Sequence, residues 1–137
     1  MKQVLLTVNT NEKIALNTFK MILSGSVGGI VKPGQFVNIK LDGFYLRRPI
    51  SVCDKTDDTL TIIYKTVGNG TKEMSELGPG AVLDVLTGLG NGYNTEISGQ
   101  NPVLIGGGAG VPPMYLLCKK LVSEGKKPSV ILGFNTK

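Results

Sequence analysis

The sequence predicts an all-β Greek-key barrel followed by the first β-α-β unit of an α/β domain. Three observations support this fold class. Short β-type segments separated by turn signals recur through about residue 98, a wholly apolar strand then leads into a glycine-rich turn, and a helical pattern with a second apolar strand follows. The 137 residues, 41% of them hydrophobic, suffice for one packed core but not for a second domain of ordinary size. We therefore assign residues 1–98 to the barrel and 99–137 to the start of an incomplete α/β domain.

β-branched and alternating patterns mark the barrel strands. The clearest strand is 59–65, where Leu60, Ile62 and Tyr64 share one face and Thr61, Ile63 and Lys65 the other. One face of this strand is therefore expected to be buried. The other strands are expected over 2–9, 14–23, 35–41 and 82–86, and turn signals lie at 9–11, 24–25, 32–34, 57–58 and 78–80.

The β-α-β unit begins with the apolar strand 102–105. Residues 106–113 form a glycine- and proline-rich turn, and apolar residues then recur at three- and four-residue spacing up to Glu124, ahead of a second apolar strand at 130–132. Gly125 is a natural helix stop. Because a lone β-α-β unit cannot bury both faces of its strands, we expect it to be marginally stable unless it packs on the barrel.

Composition excludes several functional classes. The net charge of +5 is spread over the chain without a basic run longer than a pair, which argues against a nucleic-acid groove. No apolar stretch approaches the roughly 20 residues that cross a bilayer, and no signal peptide precedes the first strand, so a cytoplasmic location without membrane contact is expected. The absence of histidine excludes a Ser-His-Asp triad, an HExxH zinc site and a histidine base. Chemistry would have to come from a cofactor.

An arginine-proline-serine segment at 46–51 is the most informative motif. Arg48 can meet phosphate oxygens with two parallel hydrogen bonds, Pro49 stiffens the turn, and Ser51 can donate to a phosphate or flavin atom. The alternative is an arginine pair on a solvated strand end. The motif therefore favours an anionic cofactor without proving one.

Two glycine clusters add to this evidence. At 67–74 a strand ends and a short helix begins, so backbone N–H groups and the Thr71 hydroxyl can converge on a phosphate, although a simple helix cap is the alternative. The second cluster, 108–113, lies between an apolar strand and a helix, as a dinucleotide-binding turn does. Its third fingerprint glycine is replaced by Pro113, and the second strand lacks an acidic residue, so the pattern is not the ordinary Rossmann one. It is not a P-loop either.

The order of these motifs resembles the ferredoxin–NADP reductase superfamily. Within it, segments 46–51, 67–72, 86–93 and 104–113 look like those of the family of electron-transfer subunits of class B dihydroorotate dehydrogenase. The resemblance implies that FAD lies along Arg48, Pro49, Ile50 and Ser51, is lined by Ile63, Tyr64 and Lys65, and places its diphosphate at Gly70 and Thr71. It also implies that the turn with Gly108, Gly110 and Pro113 faces NAD.

The resemblance further implies a partner subunit and a pathway. In the family, electrons pass from FMN on a catalytic subunit that oxidises dihydroorotate, through a [2Fe–2S] cluster, to this FAD and then to NAD, in a heterotetramer that serves pyrimidine biosynthesis. Family subunits continue for about another hundred residues with a cysteine-rich cluster segment. Cys53 and Cys118 are too few for a cluster, so we expect a truncated chain that binds FAD at best and is not competent for complete electron relay.

Two other functions remain open. One is the related small subunit of a ferredoxin–NADP transhydrogenase, or a stand-alone flavin reductase. The other is a β-barrel interaction module without a cofactor, whose glycine loops only make turns. Tyr45 could stack on a cofactor ring, and Tyr93 lies in a glycine loop that a ligand or partner could approach, whereas Cys53 and Cys118 are expected to be packing residues.

Overall fold

The computed structural model describes residues 1–136 as a closed six-stranded antiparallel barrel followed by a small α/β unit. The order of strands around the barrel is β1-β2-β5-β4-β3-β6, and the predicted fold class is confirmed. The barrel elements are β1 (Lys2–Ala15), β2 (Thr18–Ser24), β3 (Phe36–Ile39), β4 (Arg48–Lys55), β5 (Thr59–Lys65), the short helix α1 (Asn69–Ser75) and β6 (Val82–Leu89).

The core fills the barrel with aliphatic side chains from all six strands. Strand β5 shows the predicted alternation, since Leu60, Ile62 and Tyr64 are buried while Lys65 is exposed. Period-two patterning thus decides which face of each strand is inside, because successive side chains of a strand point to opposite faces. Fully buried side chains from the other strands include Leu6, Met21, Val37, Val52 and Val85.

The turn expected at 9–11 is wrong, because β1 continues through it. The pairing of β1 with β2 shifts register between Val8 and Thr10, and the chain reverses only at 16–17, where Asn17 has a φ of +51°. Asn11 explains the difference. Its side-chain amide donates to the carbonyls of Met74 and Leu77 at 2.8 and 2.9 Å, so this polar side chain fixes the α1 region instead of forming a local turn.

The α/β unit consists of β7 (Val103–Gly107), α2 (Pro112–Ser123) and β8 (Ser129–Gly133), with β7 and β8 parallel. Helix α2 lies between β7 and barrel strand β4. Leu116 contacts the barrel core, while a Lys119 ammonium lies 2.9 Å from the Asp54 carboxylate. That hydrogen bond raises the pKa of Lys119. The unit therefore packs on the barrel, as its stability requires.

Neither helix among residues 1–136 has the length and apolar character of a membrane-crossing segment. Lys137, the last residue of the predicted α/β segment, lies outside the described residues.

Candidate functional site

Arg48 lies against the start of helix α1. A Cβ atom added to Gly70 would be 2.6 Å from Nη2 and 2.7 Å from Cζ of Arg48, so the guanidinium occupies the space that any larger residue at position 70 would need. Nη1 of Arg48 donates to the Leu46 carbonyl at 2.7 Å, and Cζ lies 5.1 Å from the centroid of the Phe44 ring. Two segments predicted separately to bind one diphosphate are therefore neighbours in the fold.

The adjacent arginine has a different role. Nη1 of Arg47 donates to the Asp84 carboxylate and carbonyl, both at 3.1 Å, and to the Asn38 carbonyl at 3.3 Å, and it thereby ties β3 to β6. These contacts hold the pKa of Asp84 below its ordinary value, chiefly through the hydrogen bond from Arg47. Within residues 1–136, no carboxylate lies within 4.0 Å of the Arg48 guanidinium. Arg48 thus keeps its charge available for an anion.

The Thr71 hydroxyl caps helix α1. It accepts hydrogen bonds from the N–H groups of Val67 and Gly68 at 2.9 and 3.2 Å and donates to the Gly68 carbonyl at 3.1 Å. The first intrahelical donor is Lys72 N–H, which bonds the Gly68 carbonyl at 3.0 Å, so the N–H groups of Gly70 and Thr71 precede the helix ladder. At this cluster the backbone, rather than the hydroxyl, is available to a phosphate.

The outer faces of β4 and β5 bring three predicted residues together. Val52 pairs with Ile62, so the antiparallel register places Ser51 opposite Ile63. Lys65 follows on the same face as Ile63. Ser51, Ile63 and Lys65 therefore form one surface, which we call the outer wall, and Pro49 is exposed beyond it.

Two other predicted residues point toward the core. Ile50 packs partly against the barrel core, and Tyr64 is 3% exposed, with its hydroxyl donating to Asn11 at 2.9 Å. Burial raises the pKa of Tyr64 to about 12. The Tyr64 ring also stacks on Phe19, with centroids 5.9 Å apart. Any contribution of Tyr64 to the outer wall comes from its backbone.

The second glycine turn faces the outer wall. A Cβ atom on Gly108, whose φ is +53°, would lie 3.8 Å from the Lys65 ammonium nitrogen. Gly110 has open space around it, and Pro113 lies in the first turn of α2, where a missing backbone N–H costs no hydrogen bond. This explains how proline can replace the fingerprint glycine. The turn and the wall are therefore neighbours where the α/β unit meets the barrel.

The sequence motifs did not identify Phe44. They placed Tyr93 in a loop that a ligand or partner could approach, whereas in the structure the Tyr93 ring lies against Gly34. Phe44 precedes the arginine motif, and only the fold shows that its ring supports Arg48. Tyr93 covers Gly34, because a Cβ there would be 2.6 Å from the Tyr93 ring, and its N–H donates to Pro33 at 2.8 Å. The glycine loop that precedes Tyr93 is therefore approached by the turn at 33–34 of the same chain, not by open solvent alone. Tyr45 is fully exposed.

The two cysteines are both free thiols, and they lie in different environments. Cys53 is buried in β4, and burial raises its pKa, while Cys118 packs beside the apolar cluster under α2. No group of three or more His, Cys, Asp or Glu side chains within residues 1–136 could hold a metal ion. A [2Fe–2S] cluster needs four ligands, so these residues do not fit one.

Comparison with known sequences shows which proteins this chain is similar to. No protein-family model matches it. It is 45% identical over 139 residues to "Dihydroorotate dehydrogenase B (NAD(+)), electron transfer subunit" of Fusobacterium nucleatum, covering 96% of this chain and 54% of that protein. Its homology to these electron-transfer subunits confirms the predicted resemblance. The subunit of Bacillus mycoides is 44% identical over 99% of this chain, and the chain spans about half the length of these relatives.

Solved structures agree with this relationship. A chain of the NADH-dependent reduced ferredoxin-NADP oxidoreductase has a TM-score of 0.88 and 33% identity, covering 98% of this chain and 50% of the other. Phthalate dioxygenase reductase, at 22% identity and a TM-score of 0.76, covers 96% of this chain and 43% of its own and shares the fold. The barrel with its attached α/β unit is thus the fold of electron-transfer reductases.

Proposed function

We propose that this chain binds FAD as the electron-transfer part of a class B dihydroorotate dehydrogenase. One observation carries the proposal: the unpaired Arg48 guanidinium lies against Gly70, where only a glycine leaves room for it. A charged fork beside unused backbone N–H groups suits a diphosphate, since hydrogen bonds to ionised groups are about twice as strong as neutral ones. The homologous electron-transfer subunits support the same function.

Each predicted binding residue has a place in this proposal. Arg48 and the N–H groups of Gly70 and Thr71 hold the diphosphate, and the outer wall of Ser51, Ile63 and Lys65 lines the flavin ring. Pro49 lies at the edge of this wall, and Ile50 and Tyr64, whose side chains face the core, contribute through their backbones. The turn with Gly108, Gly110 and Pro113 faces this wall and receives NAD. FAD supplies the hydride and single-electron chemistry when bound. The protein orients the rings, and the chain needs no side-chain acid or base for this task.

The partner belongs to the same proposal. The relatives are named as subunits, which supports a catalytic subunit that carries FMN, oxidises dihydroorotate and assembles with this protein in a heterotetramer for pyrimidine biosynthesis. We place this assembly in the cytoplasm. Complete relay through a [2Fe–2S] cluster needs ligands that residues 1–136 do not hold. FAD binding and complete relay are therefore separate properties.

The experiment compares the two neighbouring arginines. Purified chain is reconstituted with FAD, and binding is measured by flavin fluorescence and visible absorbance for the native chain, Arg48→Ala and Arg47→Ala. We expect about one FAD per chain, with affinity reduced about 30-fold in Arg48→Ala, equivalent to about 2 kcal/mol. Arg47→Ala should lower thermal stability, since it breaks the link to Asp84, yet keep its FAD affinity while folded.

Two results would contradict the proposal. A chain that FAD can neither colour nor stabilise would support the interaction module instead, because any ligand selective for the folded state raises Tm. Equal FAD affinity in Arg48→Ala and the native chain would remove Arg48 from the site.

A second candidate is the small subunit of a ferredoxin–NADP transhydrogenase. The similarity to the NADH-dependent reduced ferredoxin-NADP oxidoreductase favours it, although that identity of 33% is below the 45% shared with the Fusobacterium nucleatum subunit. Both functions use the same proposed flavin site. Affinity purification separates them, since a dihydroorotate-oxidising partner supports the first function and a glutamate-synthase-like partner the second.

A further inference from the structure

A cleft lies between the barrel and helix α2. Its volume is about 300 Å³, and its polar lining consists of Lys32, Lys55, Lys119, Lys120 and Ser123. We call it the basic cleft. Four of the chain's lysine side chains line it.

The basic cleft is remote from the proposed FAD site. Strand β4 begins with Arg48 at the FAD site and ends with Lys55 at the basic cleft. Eight residues of extended strand place these two ends roughly 23 Å apart, since a strand rises about 3.3 Å per residue. Ser51, the residue of the proposed flavin wall on the same strand, is about 13 Å from Lys55 by the same rise, so the two sites share no lining residue.

Charge in the basic cleft is poorly balanced. Lys119 is paired with Asp54 at 2.9 Å. Within residues 1–136, Lys32, Lys55 and Lys120 have no carboxylate within 4.0 Å. Positive charges that line one cleft without matching carboxylates repel each other, and an anion bound among them relieves this repulsion.

Buried hydrogen bonds fix the loop that carries Lys32. The side chain of Gln35, which is 6% exposed, accepts from the N–H groups of Val31 and Lys32 at 2.8 and 3.0 Å and donates to the Gly90 carbonyl at 3.1 Å. Lys55 donates to the Ile30 carbonyl at 2.7 Å. These contacts hold the backbone of the loop and the Lys55 ammonium in place before any ligand arrives.

We propose that the basic cleft binds a phosphate group. Lysine ammoniums are point donors that suit phosphate oxygens. The Ser123 hydroxyl at the rim already donates its proton to the Lys120 carbonyl at 2.6 Å, so the lysines supply the donors. The remaining wall is formed by the apolar side chains of Val31, Pro33 and Leu116. Free phosphate and the phosphate of a small organic molecule share this chemistry.

The test is a titration of the labelled chain followed by amide NMR. Orthophosphate and phenyl phosphate are added separately at constant ionic strength set with sodium chloride. Saturable shifts are expected at the amides of Lys32, Lys120 and Ser123. Tighter binding of phenyl phosphate at these amides would identify an organic phosphate as the ligand, whereas equal affinities would identify free phosphate.

Matched variants locate the binding. The double variant Lys32→Gln with Lys120→Gln should weaken phosphate binding at the Ser123 amide about tenfold or more, because two of the charged donors are gone. Lys13→Gln with Lys40→Gln removes the same charge from exposed positions outside the cleft and should leave the affinity unchanged.

Arg48→Ala should also leave the basic cleft unaffected, which separates this result from the outcome of the FAD experiment. Shifts that grow linearly with phosphate, or equal affinity in the cleft variant and the native chain, would overturn the proposal.

Discussion

Replacement of Gly70 by alanine tests the contact on which the proposed FAD site depends. The added methyl carbon would lie 2.6 to 2.7 Å from Nη2 and Cζ of Arg48, well inside normal contact distance. The far end of a flexible side chain can move aside, so the fold should survive. The guanidinium would then leave its position beside the α1 amides.

Opposing effects keep the expected change in folding stability small. Alanine favours the helix by about 0.5 to 1 kcal/mol over glycine. Displacement of Arg48 loses its position over Phe44 and its bond to the Leu46 carbonyl, each worth about 1 kcal/mol at a partly exposed site. Gly70→Ala should therefore lower the free energy of unfolding by only about 1 to 1.5 kcal/mol. FAD affinity, in contrast, should fall by about 2 kcal/mol, or 30-fold, because one charge-assisted bond is lost.

The assay is an FAD fluorescence titration on four proteins: native, Gly70→Ala, Arg48→Ala and the double variant. If both substitutions act through one guanidinium, the double variant should bind FAD about as weakly as either single variant, which gives a coupling energy near 2 kcal/mol. Gly68→Ala is the matched control, since a Cβ there has open space around it. Additive losses in the double variant, or native FAD affinity in Gly70→Ala, would refute the reasoning.

Three further predictions concern the fold around the site. Tyr64→Phe should cost about 1 kcal/mol in urea unfolding, since Asn11 loses a buried donor, and an unchanged midpoint would contradict this. Because the folded pKa of Asp84 lies below 3.8, the stability from its ionised form should persist above that pH and disappear as the pH falls through the folded value. Asp84→Asn should remove this part of the acid unfolding profile, and an identical profile would exclude the Arg47 contact as its cause. Leu116→Ala should destabilise by about 1 to 2 kcal/mol and accelerate hydrogen exchange in α2 more than in the barrel.

Local patterns in the sequence were enough to predict most of the fold. The alternation in 59–65 predicted which side chains of β5 are buried. The apolar strand, glycine-rich turn and helical pattern that follow residue 98 predicted the α/β unit. These features depend on hydrophobic periodicity and on the residue types in turns. Both are properties of residues that are close together in the sequence. The prediction of a turn at 9–11 was wrong because the Asn11 side chain donates to the carbonyls of Met74 and Leu77, which lie far along the chain.

By itself, the sequence determined the strand faces, the glycine turns and the presence of a charged fork near the start of β4. Only the tertiary structure decided which arginine is free, because Asp84 on β6 binds Arg47 and leaves Arg48 beside Gly70. It also decided that the Thr71 hydroxyl caps its helix, and that the Lys65 ammonium lies beside Gly108. Such pairings join residues distant in the chain, and closure of the barrel, rather than any local preference, brings them within contact distance.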